Sequence, residues 1–315
     1  MLVTVDIGNT NITIGIFDKD ELIGTYRLTT KVRRTSDEYG FMLKNFLDRS
    51  NVHEKQIDAV IVSSVVPKVM HSFTNGIKKF VGMEPLIVGP GIKSGISVQL
   101  ETPRNVGADR IADCAGAFNE YGGPILVADF GTATTYDYVD ENGCFKAGAI
   151  GVGIETGANA LWGQTAQLPE IEIKRPKTIL ARNTQTEMQA GVFYQFLGGV
   201  EYTIAQFKKE VGKDLKVIAT GGLGRIVCSY TKSIDVYDPN LIFKGLKVIY
   251  EKNKDLFNLC SFFNHFLYVC SIKNAPNGAV IKMDKTATVN TICPQPRPAA
   301  KGTDPIAACT VALGQ

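Results

Sequence analysis

Short apolar runs alternate along the chain with longer stretches whose apolar residues recur at helical spacing. Leu2 to Val5 is apolar and β-branched and leads into Asp6-Ile7-Gly8-Asn9-Thr10-Asn11; Ile125 to Ala128 leads likewise into Asp129-Phe130-Gly131-Thr132-Ala133-Thr134. Runs of this kind read as buried strands. In the first half a strand over Asn11 to Phe17, a polar turn over Asp18 to Glu21 and a strand over Leu22 to Leu28 follow. In the second half the same series is Ala133 to Val139, Asp140 to Gly143 and Cys144 to Ile150. Two acid-tipped hairpins built alike predict an internal duplication.

Helices and further strands fill out each half. Thr35-Ser36-Asp37-Glu38 is a capping box, and Tyr39, Met42, Leu43, Phe46 and Leu47 then share one helical face. Ala59 to Val62 is a buried strand; Pro67 opens a helix with Val69, Met70, Phe73, Ile77 and Phe80 inward and Gly82 as its stop. With a short strand at Leu86 to Val88, the first half reads βββαβαβ, a mixed sheet with helices on its faces. Residues 89–106 read as a loop that delivers Asn105 to Asp113 to a helix ending near Tyr121. In the second half a helix runs through Ala158, Leu161 and Trp162, and Leu168 to Ile173 reads as an edge strand or arm near Pro169 and Pro176. Asn183-Thr184 caps a long helix to about Val211, with Met188, Val192, Phe196, Val200, Ile204 and Phe207 as its core stripe. Leu215 to Ala219 is a strand ending in Thr220-Gly221-Gly222-Leu223-Gly224. The expected class is α/β, with lobes over 1–120 and 121–254, a cleft between them, and an atypical, poorly ordered tail over 255–315.

Composition narrows the partners. The 315 residues are 44% hydrophobic and 21% charged, ordinary for a globular protein of two domains. A net charge of +3, spread without like-sign blocks, gives no electrostatic support to a nucleic-acid or membrane-surface role. Asp6 interrupts any leader-like apolar segment, so a cytoplasmic protein is expected. Seven cysteines without a Cys-x-x-Cys pair speak against a zinc site or a disulfide framework. In the tail, Leu256 to Ile272 is apolar but short for a membrane span, and Pro294 to Pro298 reads as unstructured.

The candidate chemistry sits at the strand ends. An acid, a glycine and small polar residues after a buried strand suit a phosphate: Gly8 lets backbone approach, Asn9 and Thr10 donate, and Asp6 holds a hydrated metal ion. A plain turn closed by an Asx motif is the alternative for one copy; a second copy facing the first makes a phosphate cleft. Asp109 and Arg110 fall in a helix's first turn, where Asp109 either complements the helix dipole or serves as a general base. Asp113, one turn on, reads as solvated or arginine-paired. Gly221-Gly222 after a buried strand suits a flat purine ring. There is no P-loop and no well-placed Gly-x-Gly-x-x-Gly, and His53, His71 and His265 lie outside every motif. Acids with Gly/Thr tips remain, an inventory for phosphoryl transfer.

The ordered set Asp6 to Thr10, Ser63 to Pro67, Gly107 to Arg110, Asp129 to Thr134, Thr165 to Pro169 and Thr220 to Gly222 resembles type III pantothenate kinase over residues 1–254. That family belongs to the superfamily of acetate and sugar kinases, actin and the heat-shock chaperone ATPases. The resemblance implies two ribonuclease-H-like lobes with a nucleotide cleft and ATP-dependent phosphorylation of pantothenate to 4′-phosphopantothenate, opening coenzyme A biosynthesis. It further implies Mg2+, a monovalent cation (K+ or NH4+) and a homodimer. On this reading Asp6, Ile7, Gly8, Asn9, Thr10, Asn11, Ile12 and Thr13 form the phosphate loop and its return strand. Thr132 stands on the opposite tip, and Gly221 and Gly222 join the nucleotide site. Asp109 is the base within the substrate segment Gly107, Ala108, Asp109 and Arg110; Leu100 and Thr184 are further substrate contacts. Asp129 is the monovalent-cation ligand, and Asp6 holds Mg2+ through water. The sequence departs from the family in carrying Leu100 for a usual tyrosine and Val152-Gly153 for a usual Pro-Gly. A kinase for another small alcohol and a non-catalytic nucleotide-binding regulator are the alternative readings.

Overall fold

The computed structural model describes residues 1–255; the expectations for 256–315 lie outside the described residues. β1 (Leu2–Ile7), β2 (Asn11–Asp18) and β3 (Glu21–Thr29) form an antiparallel meander. α1 (Ser36–Arg49), β4 (Ala59–Ser64), α2 (Pro67–Phe80) and β5 (Leu86–Ile87) follow, giving a sheet in the order β3-β2-β1-β4-β5. The expected capping box forms at α1: the Glu38 N–H donates to Thr35 Oγ1 (3.3 Å), and the Thr35 N–H donates to Glu38 Oε2 (2.7 Å). Leu43, Leu47, Phe73 and Ile77 of α1 and α2 then pack on Val3, Val5, Ile12 and Ile14.

The second half comprises β7 (Ile125–Phe130), β8 (Ala133–Val139), β9 (Cys144–Val152), α4 (Ile154–Gly163), α5 (Thr184–Val211), β10 (Lys216–Thr220), α6 (Gly224–Cys228) and β11 (Val236–Tyr237). Between the halves lie β6 (Ser97–Val98) and α3 (Ala108–Tyr121), and a last helix, α7, covers 241–255. The second sheet runs β11-β10-β7-β8-β9-β6. Without β6, its order β9-β8-β7-β10-β11 repeats that of the first sheet strand for strand, as a duplication requires.

Two expectations change. Residues 89–106 are not all loop: β6 pairs in parallel with β9, through Ser97 opposite Cys144 and Val98 opposite Phe145. A two-residue strand carries no readable period, and it exists because the outer edge of β9 accepts it. Of the edge or arm read at Leu168 to Ile173, the arm remains: no strand forms, Ile171 is buried and Gln189 Nε2 donates to the Glu172 carbonyl (3.1 Å), holding the segment in irregular form.

A pair of helices lies between the two sheets. From α3, Ala112 and Ala115 face the first-sheet core, while Cys114 and Ala117 face Ile125, Val127 and Val139 of the second. From α7, Phe243, Leu246 and Ile249 pack on Leu2, Phe17 and Ile61 of the first sheet, while Leu241 joins the second-sheet core. The two helices touch backbone to backbone. A Cβ on Gly116 would lie 2.9 Å from the Leu241 carbonyl oxygen and the Gly245 nitrogen, and one on Gly245 would overlap the Ala112 carbonyl.

Gly245→Ala is therefore expected to destabilise by about 1–3 kcal/mol through overpacking. Thermal unfolding should show this as a fall of roughly 2–4 °C per kcal/mol. Gly163→Ala, where the added methyl group meets open space, serves as the control and should leave the midpoint unchanged or slightly raised.

Candidate active site

The central strand of each sheet ends in the acid of its tip. Across the first ladder Asp6 stands opposite Ser63 on β4 and Thr13 on β2; across the second, Asp129 stands opposite Thr220 on β10 and Thr135 on β8. Residues directly opposite one another share a face of the sheet. Each half thus presents a row of hydroxyl, carboxylate and hydroxyl. Each tip closes through its glycine, the Gly8 N–H donating to the Asn11 carbonyl three residues on and the Gly131 N–H to the Ala133 carbonyl two residues on, each at 3.0 Å; the first turn is one residue longer. Thr30 Oγ1 donates to the Gly8 carbonyl (2.8 Å) and Thr156 Oγ1 to the Thr132 carbonyl (2.7 Å), bracing the turns from behind. The tips meet where Thr10 Oγ1 and Thr132 Oγ1 share a hydrogen bond of 2.8 Å.

Around this junction opens a cleft of about 370 Å³. It collects Asp6, Gly8, Asn9, Thr10, Asn11, Thr13, Asp109, Asp129, Thr132, Gly221 and Gly222 of the predicted site residues, together with Arg27, Asp113 and Glu155. Gly221 has a φ of +90°, and a Cβ there would stand 2.6 Å from the backbone nitrogen of Phe130. Only glycine fits that turn. The Tyr237 hydroxyl donates to the Gly221 carbonyl (3.0 Å) and fixes it. A separate apolar groove of about 400 Å³ between β9, α4 and α5 carries no carboxylate.

Burial raises the proton affinity of these carboxylates, and for Asp6, Asp113 and Asp129 their neighbours add to it. Burial, then the charges of Asp109 and Asp129, push Asp6 up to about 8, against some relief from Ser63. Asp6 Oδ1 and Ser63 Oγ nonetheless lack any hydrogen-bond partner, so that relief falls short of a formed bond. Burial, then Asp109 and Asp137, push Asp129 up to about 7. Asp109, in the first turn of α3, is also held above the usual carboxylate range by burial, against the pull of the Arg110 N–H, which donates to Asp109 Oδ1 at 2.8 Å. Asp113 is raised well above its ordinary range, by burial first and then by Asp129, Asp109, Asp6 and Asp137.

Not every predicted site residue reaches the cleft. Ile7 and Ile12 are fully buried core side chains, so only their backbone borders the tip. Leu100 packs against the core around Cys114 and Phe145. Gly107, Ala108 and Arg110 flank Asp109 without lining the cleft, and the Arg110 guanidinium is held by Asp137 beside the Phe145 ring (5.3 Å to its centre). Thr184 is exposed at the start of α5, away from the cleft. Asp113 corrects the reading of a solvated or arginine-paired acid: it is 4% exposed, its Oδ1 has no partner, and it lines the cleft floor. The missed signal was its i+4 spacing from Asp109, which puts both acids on one helical face.

The model of the type III pantothenate kinase family matches residues 2–206. A type III pantothenate kinase of Bifidobacterium longum subsp. infantis is 58% identical over 253 residues, covering 80% of this chain and 99% of the relative. The chain belongs to the type III pantothenate kinase family. A more distant member, from Listeria welshimeri, is 43% identical and covers 81% of this chain and 98% of its own length. A solved Campylobacter jejuni structure described as a Baf family transcriptional activator, 20% identical with a TM-score of 0.50, covers 80% of this chain and 99% of its own and shares the fold.

A kinase of this family uses ATP with a divalent metal, and the donor set here fits both. Asp6 has a buried oxygen without a partner, in surroundings that resist a bare negative charge. Among the described residues no three His, Cys, Asp or Glu side chains form a metal cage. Mg2+ habitually takes one or two carboxylates and draws its other ligands from water and phosphate, so one or two acids suffice.

The buried Asp113 gives a stability test with a fixed sign. Below about pH 4 its carboxyl is neutral in the folded and unfolded chain alike. Above that the unfolded chain ionises freely, while the folded chain keeps the proton or buries a charge, so stability falls as pH rises. Asp113→Asn should raise the thermal midpoint at pH 7.5 by roughly 2–4 °C, and the gain should vanish near pH 4. A variant no more stable than wild type at pH 7.5 would contradict this account.

Proposed function

We propose that the protein phosphorylates the terminal hydroxyl of pantothenate with ATP to give 4′-phosphopantothenate, the opening reaction of coenzyme A biosynthesis. The observation that carries this reading is the convergence of Asp6, Asp109 and Asp129 on one cleft in a chain of this family. Asp109 takes the hydroxyl proton while the alcohol oxygen bonds to the terminal phosphorus and the bond to the departing ADP breaks. Its raised proton affinity suits a group that must accept a proton near neutral pH. The transition state of such transfers is loose, so positioning and charge neutralisation weigh more than base strength. Asp6 holds the metal side of the nucleotide, the Thr10 and Thr132 tips border the phosphates, and Gly221-Gly222 faces the base. Mg2+, when bound, neutralises charge on the phosphate oxygens.

Three finer assignments belong to this proposal. Asp129 is the ligand of a monovalent cation, K+ or NH4+, a role supported by a carboxylate that needs a nearby positive charge to ionise. The protein is a homodimer; Val152 on β9 and Leu161 on α4, 60% and 39% exposed, line the apolar groove, a surface suited to burial. A second copy would also give Thr184 a place at the substrate, which its own chain's cleft does not provide. The lobes are 1–120 and 121–254, joined through α3 and α7. No helix among the described residues is long and apolar enough to cross a membrane.

ADP release, coupled to a reporter and measured with and without pantothenate and with and without potassium, tests the reading. Pantothenate-dependent release that potassium raises is expected; ADP release indifferent to pantothenate would overturn the substrate. Asp109→Asn should lower kcat by roughly 10²–10⁴-fold while ATP binding persists. In the wild type, kcat should fall as pH drops through the Asp109 pKa, at a pH above the ordinary aspartate value of about 3.9.

A further inference from the structure

The ladder rows that carry Asp6 and Asp129 each extend one strand further, and there the halves differ. Thr13 on β2 stands opposite Arg27 on β3, whereas Thr135 on β8 stands opposite Ile150 on β9. The first row is therefore Ser63, Asp6, Thr13 and Arg27; the second is Thr220, Asp129, Thr135 and Ile150. Residues in one row point to the same face, and strands stand about 4.8 Å apart, so the Arg27 backbone lies roughly 10 Å from that of Asp6 on the cleft side.

Three observations give Arg27 a task. Among the described residues five carboxylates line the cleft (Asp6, Asp109, Asp113, Asp129 and Glu155), and Arg27 is the one basic side chain lining it. Its guanidinium reaches across to the other half, ending 3.7 Å from where a Cβ on Gly222 would sit. Neither a hydrogen bond nor an ion pair holds it among the described residues, unlike Arg110, which is committed to Asp137. An exposed guanidinium that no hydrogen bond or ion pair holds is free to meet an anion entering the cleft.

We propose that Arg27 binds the phosphate chain of the nucleotide, at the end nearer the base, opposite the metal end at Asp6. The proposal rests on the kinase reading and adds a binding residue to it. A guanidinium forks onto two phosphate oxygens and supplies positive charge that the acids around it lack. The span from Asp6 to Arg27 matches a stretched polyphosphate whose two ends are gripped by opposite devices, a carboxylate-held metal and an arginine. The corresponding place in the second half, Ile150, has no charge, so the duplicated cleft has one polarity and takes the nucleotide one way round.

Isothermal titration of the full-length protein with ATP, ADP and adenosine, in buffer with Mg2+, tests this on the wild type, Arg27→Ala and Arg27→Lys. Arg27→Ala should weaken ATP and ADP about tenfold, or 1.4 kcal/mol, and leave adenosine affinity and the thermal midpoint of the free protein unchanged. Arg27→Lys should recover part of the loss, since it restores the charge without the fork. Unchanged ATP affinity in Arg27→Ala would overturn the proposal, as would an equal loss for adenosine. A wild-type chain that bound no ATP at all would instead overturn the kinase reading, and this assignment with it.

Discussion

Crowding of carboxylates in one cleft governs this structure. Burial raises the proton affinity of Asp6, Asp109, Asp113 and Asp129, and neighbouring carboxylates raise that of Asp6, Asp113 and Asp129 further. A fold seeking stability alone would spread such acids over its surface or pair each with a cation. Here Asp137 holds Arg110, and among the described residues Arg27 alone sets a positive charge against five carboxylates lining the cleft. The charge balance is completed from outside, by whatever cations arrive with an anionic substrate. Such a cleft is electrostatically unfavourable by itself, and cations arriving with a nucleotide would offset it. This is a cost in stability borne for function.

The acids can be brought together because the sheets are held by a shared pair of helices rather than by a linker. Each of α3 and α7 contributes side chains to cores on both sheets, and their backbones meet at Gly116 and Gly245. The Thr10–Thr132 hydrogen bond at the tips is a light contact by comparison, between exposed hydroxyls. A packed axis and a lightly joined mouth suit a cleft that must admit a ligand between its walls.

Much of this was legible in the sequence, and the reasons are local. The tips at Asp6 and Asp129 announced themselves because a buried strand seldom ends in an acid, a glycine and two small polar residues without cause. The capping box at Thr35 and the Asn183 cap of α5 follow from side chains bonding their own backbone, and both form. What escaped depended on tertiary contact. β6 is two residues long and exists through its pairing with β9. Leu168 to Ile173 has the extended composition of a strand but finds no ladder partner. Asp113 looked solvated because nothing local shows that the far side of α3 is covered by a second sheet. Arg27 needed the register of two hairpins before it could be aligned with Asp6.

The duplication also explains why the cleft has two chemical sides. The helix after the first sheet, α3, delivers Asp109 and Asp113 to the cavity; the helix after the second, α7, delivers Ile242 and Phe243, with Pro239 just ahead of it. Matching elements thus bring acids from one half and apolar surface from the other. Leu223 and Tyr237 extend the apolar side around Gly221-Gly222. A flat, weakly polar base is best received there, and the phosphates and the accepting alcohol at the acids. The proposed reaction needs one base rather than two, which leaves α7 free to serve as an apolar wall beside the nucleotide. On the proposed reaction both tips border phosphate while α3 alone faces the bond being made, which accounts for helices that differ more than the tips do.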